Sequence, residues 1–99
     1  MSSIAPTHPG EILLEDLMEP HGLSGHALAK VLGVPANRIT SIVARQRGIT
    51  ADASLRLARA FGFSPGYWLG LQSAFDIRVA EAKAKKDLQK IKPFTKEAA

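Results

Sequence analysis

Apolar residues recur along this chain at helical spacing. Leu28, Ala29 and Leu32 sit at i, i+1 and i+4, and Ile39, Ile42 and Val43 at i, i+3 and i+4. Two short helices are predicted, joined by Leu32-Gly33-Val34-Pro35. Gly33 can take the left-handed conformation that closes a helix without a Cβ penalty. Val34 is expected beneath the corner, and Pro35 fits the opening turn of the second helix, where a missing N–H costs nothing. Ser24 suits the N-cap of the first. Ala29 is small enough to let the two helices cross closely. Residues 24–47 therefore read as a helix-turn-helix, a motif whose second helix enters the major groove of DNA.

The same periodicity places further helices on either side. Pro9-Gly10-Glu11 opens an N-terminal helix with Ile12, Leu13 and Leu17 as its core stripe, widened by Leu14 and Met18 and ended by Pro20 and Gly22. After the helix pair, Gly48 marks a turn, Ile49 is expected to plug the core, and Thr50 caps a helix over 51–61 that buries Leu57, Ala58 and Phe61. Ser54 interrupts that stripe with a hydroxyl. Gly62 closes the helix and Ser64-Pro65 opens the next one. There Trp68, Leu71 and Phe75 face the core, while Leu69 and Ile77 lie off the stripe. A helix apolar on more than one side needs a second partner. This one reads as a homodimer seam, or else as a more deeply buried helix. Residues 1–8 form a short flexible lead, 9–80 the folded domain, and 81–99 a lysine-rich tail that is helical or frayed. The tail reads equally as solvated or as following a DNA backbone.

With Ile39, Ile42 and Val43 turned inward, the outer face of the second helix keeps Asn37, Arg38, Thr40, Ser41, Ala44 and Arg45, with no acidic residue. Arginine pairs bidentately with guanine and asparagine with adenine, and hydroxyls suit base edges. Asn37, Arg38, Thr40 and Ser41 are the candidate base contacts. Arg45, Arg47 and Ser24 are the candidate phosphate contacts, which hold register without reading sequence. The plain alternative is a structural helix pair.

Charge distribution supports the first reading. The net charge is +4, yet residues 1–32 carry four acids against one lysine, while residues 34–60 carry five arginines against Asp52 alone. Positive charge thus collects around the reading helix, as phosphate binding requires. The acids Glu11, Glu15 and Glu19 line one outer face of the first helix. They read as a solvated face or as a docking strip for a basic protein.

Other chemistry finds no foothold. No cysteine is present among the 99 residues. That excludes disulfides and thiol catalysis and fits a reducing cytoplasm. His8, His21 and His26 lack metal-ligand spacing, so no metal or other cofactor is expected. No serine or threonine has a recognisable histidine–carboxylate partner, so no catalytic residue is assigned and no enzyme is expected. Neither a signal peptide nor a membrane span is visible.

HPGEILLEDLMEPHGLS, together with LAKVLGVPANRITSIVARQRGITADASLRLARAFGFSPGYWLGLQSAFDIRVA, resembles the HigA/VapI-type antitoxins over residues 8–80. The RGIT, SLRLAR and SPGYWLGLQ segments carry most of the specificity. These antitoxins are helix-turn-helix proteins of the broad phage-repressor (XRE) class. The resemblance implies an all-α, five- or six-helix, lambda-repressor-like helix-turn-helix domain. It also implies a homodimer on double-stranded DNA with a palindromic operator, commonly at its own promoter, and a toxin protein, usually an mRNA-cleaving ribonuclease, as second partner. The family includes stand-alone regulators without a toxin. The sequence departs from the family pattern at three positions. Gly25 stands where a polar, phosphate-touching residue is frequent, Ser54 replaces a usual alanine, and Gly70 a frequent asparagine.

Overall fold

A computed structural model describes residues 6–95. Among them the secondary structure is helical: α1 (Pro9–Ile12) runs on into a π-helical stretch, Leu13–Met18, and is followed by α2 (Gly25–Leu32), α3 (Ala36–Val43), α4 (Ala51–Phe61), α5 (Tyr67–Lys83) and α6 (Lys85–Gln89). Local chemistry sets most boundaries. The Ser24 hydroxyl accepts from the Ala27 N–H at 3.0 Å, and the Thr50 hydroxyl from the Ala53 N–H at 3.1 Å. Gly33, at φ 71°, closes α2 in the left-handed conformation. Two starts differ from the sequence reading. Pro35 is the N-cap of α3 rather than part of its first turn. Pro65-Gly66 forms a turn, and α5 begins only at Tyr67, whose N–H donates to the Ser64 carbonyl at 3.1 Å.

One core joins the first helix to α2, α3, α4 and the start of α5: Leu13, Leu17, Met18, Leu28, Ala29, Leu32, Ile39, Ile42, Ile49, Ala53, Leu57 and Trp68. Met18 is fully inside, whereas Ile12 is only half-buried. The reason is the wider i→i+5 turn of Leu13–Met18, which rotates the buried face away from the α-helical stripe. α1 also approaches α3 very closely. A Cβ on Gly10 would run into the carbonyl oxygen of Ile42.

The inward face of α5 differs most from expectation. Trp68 is buried, but Leu71 and Phe75 are only half-buried, and the second fully buried residue is Gln72. The Trp68 ring meets Phe63 and Tyr67 edge-on at 5.5 and 5.6 Å. Its Nε1 is buried and has no hydrogen-bond acceptor among the described residues. Ser54, on α4, is 1% exposed. Its hydroxyl donates to the Pro65 carbonyl at 2.7 Å and accepts from the Leu69 N–H at 3.1 Å. The polar interruption therefore ties α4 to the start of α5. Beyond Phe75, α5 leaves the body, and Ile77, Leu88, Ile91 and Phe94 are exposed. No helix among the described residues is long and apolar enough to cross a membrane.

Candidate nucleic-acid interface

The outer stripe of α3 follows from burying Ile39 and Ile42. Asn37, Thr40 and Ala44 then fall at i, i+3 and i+7 and are exposed, with Ser41 half-buried beside them. The N-terminus of α2 lies against this stripe. A Cβ on Gly25 would sit 3.0 Å from the Thr40 methyl. Ser24, one residue earlier, is exposed and spends a lone pair on capping, which leaves its O–H free to donate.

The arginines are less free than their positions in the sequence suggest. Arg38 points along the side of α3 toward α4, where its Nη2 donates to Asp52 Oδ2 at 2.6 Å. Arg56 Nε donates to the same oxygen at 2.8 Å. Arg56 Nη1 reaches back to the carbonyls of Leu32 and Gly33 at 2.8 and 3.4 Å. One carboxylate and one guanidinium thus stitch the helix-turn-helix corner to α4. The hydrogen bonds from Arg56 and then from Arg38 hold the Asp52 carboxyl below the usual aspartate range.

Arg45, just past the C-cap of α3, has φ 65°, a left-handed conformation unusual for a side-chain-bearing residue. Its Nη2 donates to Glu11 Oε1 at 2.6 Å, so this candidate phosphate contact is tied to α1. Arg47 is exposed and makes no ion pair with the described residues. The loop after it is anchored from below. Gln72 Oε1 accepts from the Ile49 N–H at 2.8 Å, while its Nε2 donates to Asp76 Oδ1 at 2.9 Å. The SPGYWLGLQ motif contains Gln72, but nothing in its spacing signals this role.

His8 sits at the edge of the same region, as the N-cap of α1. Its Nδ1 accepts from the Gly10 N–H at 2.8 Å, and its ring meets Phe75 edge-on at 4.9 Å. Partial burial, and after it the Arg45 charge, pull the imidazole below its ordinary value, with Asp76 pulling the other way. His21 instead closes the first helix, its Nδ1 2.8 Å from the Leu17 carbonyl. Among the described residues no group of three or more His, Cys, Asp or Glu could hold a metal ion.

Ser24, Asn37, Thr40 and Ser41 are therefore brought to one face. Arg38 and Arg45 flank it in ion pairs, and Arg47 lies beyond its exit. A helix-turn-helix family profile matches residues 14–68. The chain is 50% identical to virulence-associated protein I of Dichelobacter nodosus over 91 residues, 92% of this chain and 83% of that one. It superposes on an addiction module antidote protein of the HigA family from Coxiella burnetii with a TM-score of 0.85 and 46% identity, over 92% of this chain and all of that one. It also superposes on Pseudomonas aeruginosa antitoxin HigA, solved with the higBA promoter, with a TM-score of 0.86 and 40% identity, covering 91% and 99% of the two chains.

Proposed function

This chain belongs to the helix-turn-helix family, and we propose that it is a dimeric, sequence-specific DNA-binding repressor that also serves as the antitoxin of a toxin–antitoxin module. The observation that carries the DNA-binding reading is the outer stripe of α3: uncovered, free of acids, and flanked by arginines. The relative solved with promoter DNA supports it. The antitoxin reading rests on the relatives, one named an antitoxin and another an addiction module antidote protein.

In this reading, two α3 helices enter successive major grooves roughly 34–36 Å apart on a palindrome. Asn37 pairs with an adenine edge, and Thr40 and Ser41 donate or accept at neighbouring bases. Arg38 reaches a guanine. Arg45, Arg47 and Ser24 hold phosphates and fix the register. Occupying the promoter excludes polymerase. The protein works in the cytoplasm, as a binding protein without catalytic groups. The homodimer forms through the helix that bears Trp68 and Phe75; Trp68 itself is held in the core, so the seam uses the exposed end of that helix at Ile77, with Leu88, Ile91 and Phe94 beyond it.

The test is selection of bound duplexes from a random pool at two salt concentrations. A palindromic consensus with half-sites one turn apart is expected, with steep loss of binding as salt rises. Arg38→Ala is expected to cost about 1–3 kcal/mol and to relax one base position. A pool that yields no enriched sequence overturns the DNA-reading role. A consensus found in a host where no partner protein co-purifies leaves a stand-alone regulator.

A further inference from the structure

Between Glu19 and Asp76 the chain carries a single acidic residue, Asp52. It stands in the first turn of α4 and takes the Arg38 guanidinium at 2.6 Å. An acid beside the reading helix opposes phosphate binding, so its position calls for a reason. We propose that Asp52 is a specificity-determining residue. It holds Arg38 against α4, so that this cation does not settle on the phosphates of arbitrary DNA and turns to the groove only where a base offers a better exchange. This rests on the DNA-reading role proposed above.

Three observations support it. First, the carboxylate cannot follow Arg38 away. Arg56, bonded to Asp52 at 2.8 Å and to the Leu32 carbonyl at 2.8 Å, fixes it to the helix-turn-helix corner. Second, Arg38 can leave without stranding a charge, because Arg56 remains on the carboxylate. Third, the pair is exposed enough to exchange, with side-chain exposures of 31% for Arg38 and 53% for Asp52. A guanine edge accepts two parallel hydrogen bonds from an arginine fork. A lone phosphate must instead compete with an ion pair already made. Discrimination then comes from penalising the wrong partner as much as from favouring the right one.

The experiment measures affinity of the full chain for the selected operator and for a random duplex of equal length across a salt series. Asp52→Asn is expected to bind the random duplex more tightly and to lower the operator-to-random ratio about tenfold. Its salt slope on random DNA should steepen by about 0.9, the value for one more phosphate neutralised. Adding Arg38→Ala to Asp52→Asn should return that slope to the wild-type value, which loss of the acid's charge alone would not do. Asp52→Glu, which keeps the carboxylate, should stay close to wild type. Arg38→Ala by itself should leave the random-DNA slope unchanged, and this holds even if Asp52→Asn fails to fold. Wild-type preference for the operator with an unchanged ratio in Asp52→Asn overturns the inference alone. So does a random-DNA slope that falls in Arg38→Ala, or one that stays steep in the double variant. A wild-type chain that prefers no duplex overturns the DNA-reading proposal and this inference with it.

Discussion

At Gly10 the backbone of α1 lies so close to the Ile42 carbonyl that a single methyl group has nowhere to go. Because the obstacle is backbone rather than a flexible side-chain tip, relief requires moving α1 off α3. Gly10→Ala is expected to destabilise the fold by at least about 2 kcal/mol, read from urea unfolding. Ser54 makes the opposite case, a polar group whose removal hurts. Ser54→Ala would leave the Pro65 carbonyl and the Leu69 N–H without their partner, at a cost of about 1–3 kcal/mol in the same measurement. Equal stability of the two chains would mean that water replaces the hydroxyl. These residues show where sequence reasoning reaches. The caps at Ser24, Gly33, Thr50 and Gly62 are legible because each acts on backbone within a few positions. Ser54 reads only as a flaw in a stripe, since its partners lie 11 and 15 residues away. Arg38 reads as free for the same reason: Asp52, 14 residues on, becomes its neighbour only when α4 folds back.

The first and fifth helices carry what remained illegible among the elements. An N-terminal helix is legible from Pro9 and the apolar positions, but its π-helical turn is not, because the residues that suit either helix are the same. Its cap is a titratable one. The His8 Nδ1 accepts the Gly10 N–H only while unprotonated, and protonation would also place a positive charge at the positive end of the helix. The folded-state value lies below the ordinary histidine value of 6.5. The unfolded chain therefore takes up the proton first. The stability His8 contributes is fully present above pH 6.5 and is lost as pH falls through the folded value. Thermal unfolding between pH 8 and pH 5 should show this loss in the wild type and a shallower one in His8→Asn, which retains a capping side chain that does not titrate. Parallel pH profiles would remove His8 from the account. On α5 the apolar positions outnumber one stripe. Trp68 turns inward with the apolar core, and Gln72 takes the other fully buried place because its amide accepts the Ile49 N–H.

At the largest scale, the described residues form a drawn-out body. Its principal extents are 56 × 29 × 22 Å, and the Cα radius of gyration is 17.3 Å. A compact chain of about 100 residues has a radius near 13 Å. The difference is the projecting end of α5 with α6, a helical arm too short to be stable in water by propensity alone. A second copy that covers Ile77 and Leu88 would supply the missing contacts. Light scattering is expected to give a dimer for the wild type and to shift Ile77→Glu and Leu88→Glu toward monomer by at least tenfold in dissociation constant. Operator affinity should fall with it, because one reading helix cannot span two half-sites. Dimers that persist in both variants would move the seam elsewhere.

The indole of Trp68 offers one more consequence. It is the chain's single tryptophan, lodged in the interior with no acceptor for its Nε1 among the described residues and aromatic rings at its edges. Its emission should lie toward the blue in the native state and move red when α5 lifts away. The protein carries an intrinsic optical gauge of that motion, with no dye attached.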